Sequence, residues 1–249
     1  MDKSQQLTTL LKRLNTGEDP ERVRAEAREF LSSIDAKDIA IAEQHLIDEG
    51  LQPEDMQKLC QVHMELLADQ AEKMKAELPP GHVVSTLISE HDMILQFLDM
   101  LDDVNHAIQN MTEYDPNAES FAKLKHIAVH LAEAELHHQR EEEILFPEME
   151  SRGVHGPPAI MRDEHTQLRK QKQQLKELAE GVPQMEFADF KNRLNQTTAF
   201  TVPSLRDHIF KENNILYPTA LQVVDDPKVW QKLKEECDKI GYCCFTPEQ

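Results

Sequence analysis

Two stretches of the sequence decide the fold, HHQREEEILFP at residues 137–147 and HIFKENNILYP at residues 208–218. Each begins with a His, has a Glu four residues later, and ends in an aromatic residue followed by Pro. A constant offset of 71 residues relates the two stretches, from His137 to His208 and from Glu141 to Glu212. The chain therefore contains an internal repeat.

A Glu-His pair precedes each stretch, Glu90-His91 in the first repeat and Glu164-His165 in the second. Around His91, apolar residues recur at alternating steps of three and four, which is typical of a helix that faces the interior of a bundle. Each repeat is therefore predicted to be a helical hairpin with one His on its first helix and His-x-x-x-Glu on its second.

The composition agrees with a helical protein. The 249 residues include only 7 Gly, and helix-favouring Ala, Leu, Glu, Gln, Lys and Met are abundant over long stretches. We predict an all-α, up-and-down four-helix bundle. After the helix that carries His91, further helices are expected over about 117–150, 158–180 and 184–217, with Pro147 and Pro218 near the ends of two of them.

The chain is expected to divide into three parts, residues 1–78, 79–222 and 223–249. Pro79, Pro80 and Gly81 separate a small helical N-terminal module from the bundle. The last part is read as one short helix and a tail. Helix boundaries in the module are predicted from capping and breaking residues, Asp19, Pro20, Asp35, Gly50 and Pro53.

The net charge of the chain disfavours two classes of binding partner. There are 27 Lys and Arg against 46 Asp and Glu, a formal net charge of −19, which disfavours nucleic acids and anionic membranes as partners.

The sequence has neither a secretory signal nor an apolar run long enough for a membrane span, so a cytoplasmic protein is expected. The 4 Cys are too few for a disulfide framework and are expected to be reduced.

The spacing of His and Glu indicates metal binding. Residues four apart project from the same helical face, so an imidazole and a carboxylate of each repeat can converge on one interior point. A single His on such a face is more often a hydrogen-bonded core residue, but the repetition of the whole pattern favours ligands. Four imidazoles and two carboxylates suit a pair of metal ions. Two His and a carboxylate per metal are associated with non-haem iron that binds small oxidants, although zinc or manganese also accept these ligands.

The pattern of His, HxxxEExxLFP, EHxxLR and HxxxExxxLYP resembles the hemerythrin-like, or HHE cation-binding, bundles. The resemblance covers about residues 80–220 and implies two non-haem iron ions with an oxo or hydroxo bridge. It also implies bridging roles for Glu141 and Glu212. The implied ligands are His91, His137, Glu141, His165, His208 and Glu212. The first 75 or so residues resemble the uncharacterised helical module of the DUF438 type that often precedes such bundles.

The sequence departs from the oxygen-carrying hemerythrins, which use a fifth His one turn after the third and a final Asp. Here Arg169 occupies the first position and Glu212 is the final carboxylate. The chain thus resembles the subgroup with four His and two Glu. This resemblance favours reaction with nitric oxide or peroxide over reversible oxygen carriage.

Several further residues are weaker candidates. Glu133 and Glu164 could support the ligands or relay protons, or could be solvated. His138 could replace His137 as a ligand, but only His137 keeps the repeat offset. His126 and His130 are expected to be polar lining or surface. Cys60 and His63 could belong to a second metal site, with His45 and His82 as potential further ligands. The tail thiols Cys237, Cys243 and Cys244 could be redox-sensitive. An inert role is favoured for both groups.

The sequence thus predicts a cytoplasmic di-iron protein that binds or reacts with nitric oxide, dioxygen or peroxide in sensing, detoxification, iron delivery or iron–sulfur repair. Whether it is an enzyme stays open. The alternative is a signalling or scaffold module with a structural metal, in which the N-terminal module would mediate a homo-oligomer or bind a protein partner.

Overall fold

The structure is a computed structural model that describes residues 3–15, residues 77–246 and the isolated positions 18, 22, 26, 30 and 45. Within this part of the chain the regular elements are all helical. The boundaries predicted inside the N-terminal module at Asp19, Pro20, Asp35, Gly50 and Pro53 lie outside the described residues, as do Cys60 and His63. No described helix is both long and apolar enough to cross a bilayer.

Nine α-helices are described. They are α1 Lys3–Asn15, α2 Val83–Gln109, α3 Glu119–Glu133, α4 Glu135–Arg140, α5 Phe146–Ser151, α6 Gly156–Gly181, α7 Phe187–Lys211, α8 Tyr217–Val223 and α9 Pro227–Ile240. A short 3-10 turn, Val182–Gln184, follows α6, and π-helical turns span Glu141–Leu145 and Glu212–Leu216.

The chain forms two compact units. One, here called the bundle unit, comprises residues 80–141, 163–209 and 234–249, and the other comprises residues 1–79, 142–162 and 210–233. The bundle unit contains α2, α3 and α4, most of α6 and α7, and the end of the chain.

In the bundle unit, α2 and α7 are antiparallel. Arg206 of α7 donates to a carboxylate oxygen of Asp99 at 2.5 Å, and Asn105 donates to the side-chain oxygen of Asn195 at 3.1 Å. Near the end of α2, Gln109 donates to the carbonyl of Lys191 at 2.9 Å. Partners on α7 therefore move toward lower numbers as α2 advances.

The other neighbouring helices are antiparallel as well. Along α2, Glu90 bonds His137 of α4 and Phe97 contacts His130 of α3. Between α4 and α6, Glu135 pairs with Arg169 and, further along α4, His138 stacks on His165. A short connection joins α6 to α7, so these two consecutive helices are antiparallel neighbours. The predicted all-α, up-and-down arrangement is confirmed.

The core of the bundle unit is mainly aliphatic, with few buried aromatic residues. It draws on α2, α3, α6 and α7. Its buried residues include Ile94, Leu98, Leu101, Ile127, Leu131, Leu175, Phe190, Leu194 and Leu205.

In the other unit, a tight turn follows α5. Gly153 has a φ of +85°, in the left-handed region that favours glycine, and the amide of Val154 bonds back to the carbonyl of Met149 at 3.1 Å. Beyond α8, the Trp230 indole donates to the carbonyl of Val224 at 2.8 Å and fixes the start of α9.

The two prolines of the repeat follow π-helical turns. Proline has no amide hydrogen and therefore cannot bond the carbonyl four residues earlier; a π turn shifts the hydrogen bonds by one residue and accommodates this loss. The helical backbone continues past Pro147 to Ser151, close to the predicted end. It also continues past Pro218 to Val223, so the end predicted near Tyr217 is wrong.

Truncation of the bundle core should destabilise the protein. Leu101 is fully buried, whereas its neighbour Met100 is 37% exposed. We expect Leu101→Ala to lower the free energy of unfolding by about 2–5 kcal/mol because it removes packed methyl groups and leaves a cavity. Urea unfolding of the metal-free protein, followed by circular dichroism, measures the change. Met100→Ala is the control and should cost much less; equal losses would contradict the assigned core.

Candidate metal centre

Four buried imidazoles form two close pairs in the bundle unit. The Nε2 atoms of His91 and His137 lie 3.1 Å apart, and those of His165 and His208 also lie 3.1 Å apart. No more than 2% of any of these residues is exposed. Two nitrogens bound at right angles to one cation, each at about 2.1 Å, would be about 3 Å apart. Each pair therefore has the spacing of two ligands on one metal ion.

Glu141 connects the two pairs. One of its carboxylate oxygens, Oε2, lies 3.5 Å from Nε2 of His137 and 3.5 Å from Nε2 of His165. The residue has no exposed surface. One carboxylate thus faces an imidazole from each repeat, which is the position of a ligand that bridges two cations.

The two Glu-His pairs of the sequence orient the imidazoles of the opposite helices. Glu90 accepts a hydrogen bond from Nδ1 of His137 at 2.7 Å, and Glu164 accepts one from Nδ1 of His208 at 2.8 Å. Such carboxylates fix the tautomer of a ligating His and increase its basicity. The Nε2 atoms of His137 and His208 are therefore the ring nitrogens that face the neighbouring imidazoles of His91 and His165.

A buried ion pair supports the first of these contacts. Arg140 donates to both carboxylate oxygens of Glu90 at 2.6 Å, and the hydroxyl of Thr246 donates to Glu90 at 2.5 Å. Burial alone would raise the pKa of Glu90, but His137, Arg140 and Thr246 outweigh it and lower that pKa to about 2. Tyr242 covers the Arg140 guanidinium, with 4.7 Å from Cζ to the ring centre. Glu90 is thus held ionised.

The structure brings five of the six sequence-predicted ligands together in the bundle unit: His91, His137, Glu141, His165 and His208. Glu212 belongs to the other unit, where it opens the second π turn four residues after His208 and is fully buried. Glu164 contacts a ligand candidate directly. The side chain of Glu133 is 51% exposed and contacts His130 and Cys244.

Arg169, which stands where oxygen carriers have a fifth His, turns toward Glu135. Its Nε donates to a carboxylate oxygen of Glu135 at 2.7 Å. The position one turn after His165 is therefore occupied by a residue whose side chain forms an ion pair with Glu135.

Sequence reasoning missed the roles of Glu90, Arg140 and His138. The imidazole of His138 stacks on His165 with ring centres 3.8 Å apart, and it meets His208 edge-on at 5.8 Å. Burial, followed by the charge of Lys172 and neighbouring imidazoles, holds the pKa of His138 well below its usual value. A fifth, neutral imidazole therefore lines the centre. The repeat could have identified Glu90, since it matches Glu164, but His138 has no counterpart.

Loss of the Glu90 carboxylate should destabilise the bundle strongly. We expect Glu90→Gln to cost about 3–5 kcal/mol in the metal-free protein because it leaves the Arg140 charge buried without its partner. The stabilisation comes from the ionised Glu90 carboxylate. It should therefore be fully present above pH 4.5, the ordinary pKa of a glutamate, and should decline as the pH falls toward 2, the lowered pKa of Glu90 in the folded protein. Urea unfolding of both proteins across this pH range measures it.

The exposed ion pair of Asp99 and Arg206 provides the control. Asp99 and Arg206 have side chains that are 70% and 40% exposed, so Asp99→Asn should cost no more than about 1 kcal/mol. If Glu90→Gln cost as little as Asp99→Asn, the buried pair would not have the assigned role.

Comparisons with known proteins agree with this geometry. No curated protein matches the chain. The model of DUF438, a family of unknown function, matches residues 7–73, as the resemblance of the N-terminal module predicted. The model of the hemerythrin HHE cation binding domain matches residues 82–220, more than half of the chain, and that range includes the buried His and Glu clusters. The chain therefore belongs to the hemerythrin HHE cation-binding family.

Proposed function

We propose that this protein holds two non-haem iron ions and uses them to bind or react with a small ligand such as nitric oxide, dioxygen or peroxide. The observation that carries the proposal is the position of Glu141, with one carboxylate oxygen 3.5 Å from Nε2 of His137 and of His165. A carboxylate shared between two imidazole pairs is suited to two cations rather than one.

The donor set fits a pair of iron ions. His91 and His137 would hold one ion, His165 and His208 the other, and Glu141 would bridge them. Glu212 would be the second bridge, because it matches Glu141 at the repeat offset and follows His208 by one helical turn. When bound, iron supplies one-electron redox chemistry and coordination positions open to a small ligand.

Residues of the chain would prepare the centre before any ligand arrives. Glu90 and Glu164 hold the Nδ1 protons of His137 and His208, so both rings present Nε2 as a lone-pair donor. Arg140 balances the charge of Glu90 inside the protein. The helices need little rearrangement to accept a cation, since the imidazole nitrogens are already at ligand spacing.

Apolar side chains next to the ligands would limit the access of water. Ile94 and Leu168 each follow a ligand candidate by about one helical turn and are 3% exposed. A site with low water content strengthens electrostatic interactions, and a confined site favours small ligands. This environment supports a diatomic molecule or peroxide as the ligand.

The residue at position 169 favours reactive chemistry over reversible oxygen carriage. Arg169 pairs with Glu135, so it does not supply the additional imidazole that distinguishes the oxygen carriers. We therefore propose nitric oxide or peroxide ahead of dioxygen as the physiological ligand, with four His and two Glu as the ligand set.

The rest of the proposal concerns the whole chain. Residues 79–222 would form the metal-binding domain, residues 1–78 would bind a protein partner or a second copy, and residues 223–249 would support the bundle. The cytoplasm, where iron and thiols stay reduced, is the proposed location.

Rapid mixing tests the proposal. We expect the anaerobic, iron-loaded, reduced protein to change its visible absorption within the mixing time on addition of nitric oxide or hydrogen peroxide, because open positions bind these molecules directly. His137→Ala should lose most of the iron and the response, since one ligand of a bridged pair is removed. His155→Ala is the control, because His155 is exposed, and it should retain both.

The form of the response identifies the role. A stable nitric oxide adduct supports sensing, turnover of peroxide supports detoxification, and release of iron on reduction supports delivery or iron–sulfur repair. A metal that stays bound and unchanged with all three treatments would contradict the proposal and favour a structural site in a signalling module.

A further inference from the structure

Three potential metal ligands of different chemistry meet on the surface of the bundle unit, at the end of α3. Cys244 from the tail places its Sγ 2.9 Å from a carboxylate oxygen of Glu133 and 3.3 Å from Nδ1 of His130. His130 Nδ1 and Glu133 lie 3.5 Å apart. Each residue offers one ligand atom, and the three atoms form one compact group.

The separations are close to those of a tetrahedral metal site. With sulfur at about 2.3 Å and nitrogen or oxygen at about 2.0–2.1 Å from zinc, tetrahedral angles require sulfur–nitrogen and sulfur–oxygen separations of about 3.5 Å and a nitrogen–oxygen separation of about 3.3 Å. The observed nitrogen separations match, and only the contact between Cys244 and Glu133 must widen, by about half an ångström. Both of those side chains are exposed, and such a shift is small for them.

The tail is anchored on both sides of Cys244. Cys243 is 4% exposed. Phe245 packs edge-on against Phe97, with ring centres 5.4 Å apart, and Thr246 donates to the buried Glu90. The chain therefore holds the Cys244 thiol over α3, with little freedom to lose on binding a metal.

His130 is also held in place, by contacts with neighbouring rings. The ring of His130 lies 5.1 Å from that of Phe97 and 6.2 Å from that of Phe245. His126, one turn earlier on α3, meets His130 edge-on with ring centres 4.1 Å apart. His126 therefore neighbours the group on the same helical face, while the three ligand atoms that lie within 4.8 Å of one another belong to His130, Glu133 and Cys244.

We propose that His130, Glu133 and Cys244 form a surface site for a zinc ion, with His126 or water in the fourth position. One thiolate, one carboxylate and one or two imidazoles are the ligand types that zinc prefers. The acidic chain, with a net charge of −19, favours the approach of a cation. The site is separate from the proposed iron centre in its chemistry, because it contains sulfur.

The binding step is an exchange of a proton for a metal ion. In the free protein the Cys244 thiol donates to Glu133, and partial burial together with that carboxylate raises the pKa of the thiol to about 11. When zinc binds, the sulfur–hydrogen bond breaks, a sulfur–zinc bond forms, and one proton passes to water. No oxidation state changes.

This proposal differs from the sequence-based expectation for the tail. The sequence favours an inert tail, because adjacent Cys243 and Cys244 cannot easily chelate one zinc. In the structure only Cys244 faces the ligands of α3, while Cys243 lies near Arg140, with 4.0 Å from Nη2 to Sγ. The pair is thus divided between the interior and the surface.

Cobalt binding tests the site with a signal that the buried His and Glu residues cannot give. We expect the full-length, iron-loaded protein to bind one added Co²⁺ per chain, with a thiolate-to-cobalt charge-transfer band, and excess Zn²⁺ to abolish the band. Cys244→Ser should lose the band completely. Cys237→Ser is the control, since Cys237 is 2% exposed, and it should keep the band.

His130→Ala is a second variant that retains the thiol, and it should bind Co²⁺ more weakly than the parent protein. Circular dichroism shows whether each variant keeps its helices. A parent protein without the band, or a band of equal strength in folded Cys244→Ser, would overturn the proposal. Because only sulfur ligation produces the band, the test is valid whether or not the buried centre holds iron.

Discussion

The cost of burying carboxylates constrains the whole bundle. Glu90 and Glu141 are fully buried, and an ionised carboxylate in a protein interior is destabilising by several kcal/mol unless opposite charge or hydrogen bonds offset the loss of water. For Glu90 the balance comes from Arg140, His137 and Thr246. Glu141 lies instead among imidazole nitrogens at 3.5 Å, where a shared pair of cations would supply the balancing charge. The contacts of these two carboxylates connect α2, α4 and α6.

The fold and most of the site could be predicted from the sequence because both depend on a repeat. The offset between residues 137–147 and 208–218 identifies a duplicated hairpin, and four-residue spacing places His and Glu on one face. The π turns before Pro147 and Pro218 could not be predicted in the same way, since proline more often ends a helix than follows a π turn. The helical segment that contains Pro218 consequently continues to Val223, beyond its predicted end.

The remaining features depend on contacts between distant parts of the chain. His138 follows His137 by about 100° around the helix, and the repeat favours only one of them, yet both rings are buried where α4 faces two neighbouring helices. Likewise, nothing local indicates that Tyr242 covers Arg140 or that Thr246 reaches Glu90. These contacts make the tail part of the support for His137, and the same anchored segment carries Cys244 to the surface of α3.

The central claim is that the buried imidazoles and carboxylates hold two iron ions. Anomalous diffraction from crystals of the iron-loaded protein, recorded on both sides of the iron absorption edge, tests it most directly. We expect two iron peaks per chain, one within about 2.0–2.2 Å of Nε2 of His91 and His137 and the other equally close to Nε2 of His165 and His208, with Glu141 between them. One peak, no peak at these nitrogens, or peaks that persist below the iron edge would contradict the account.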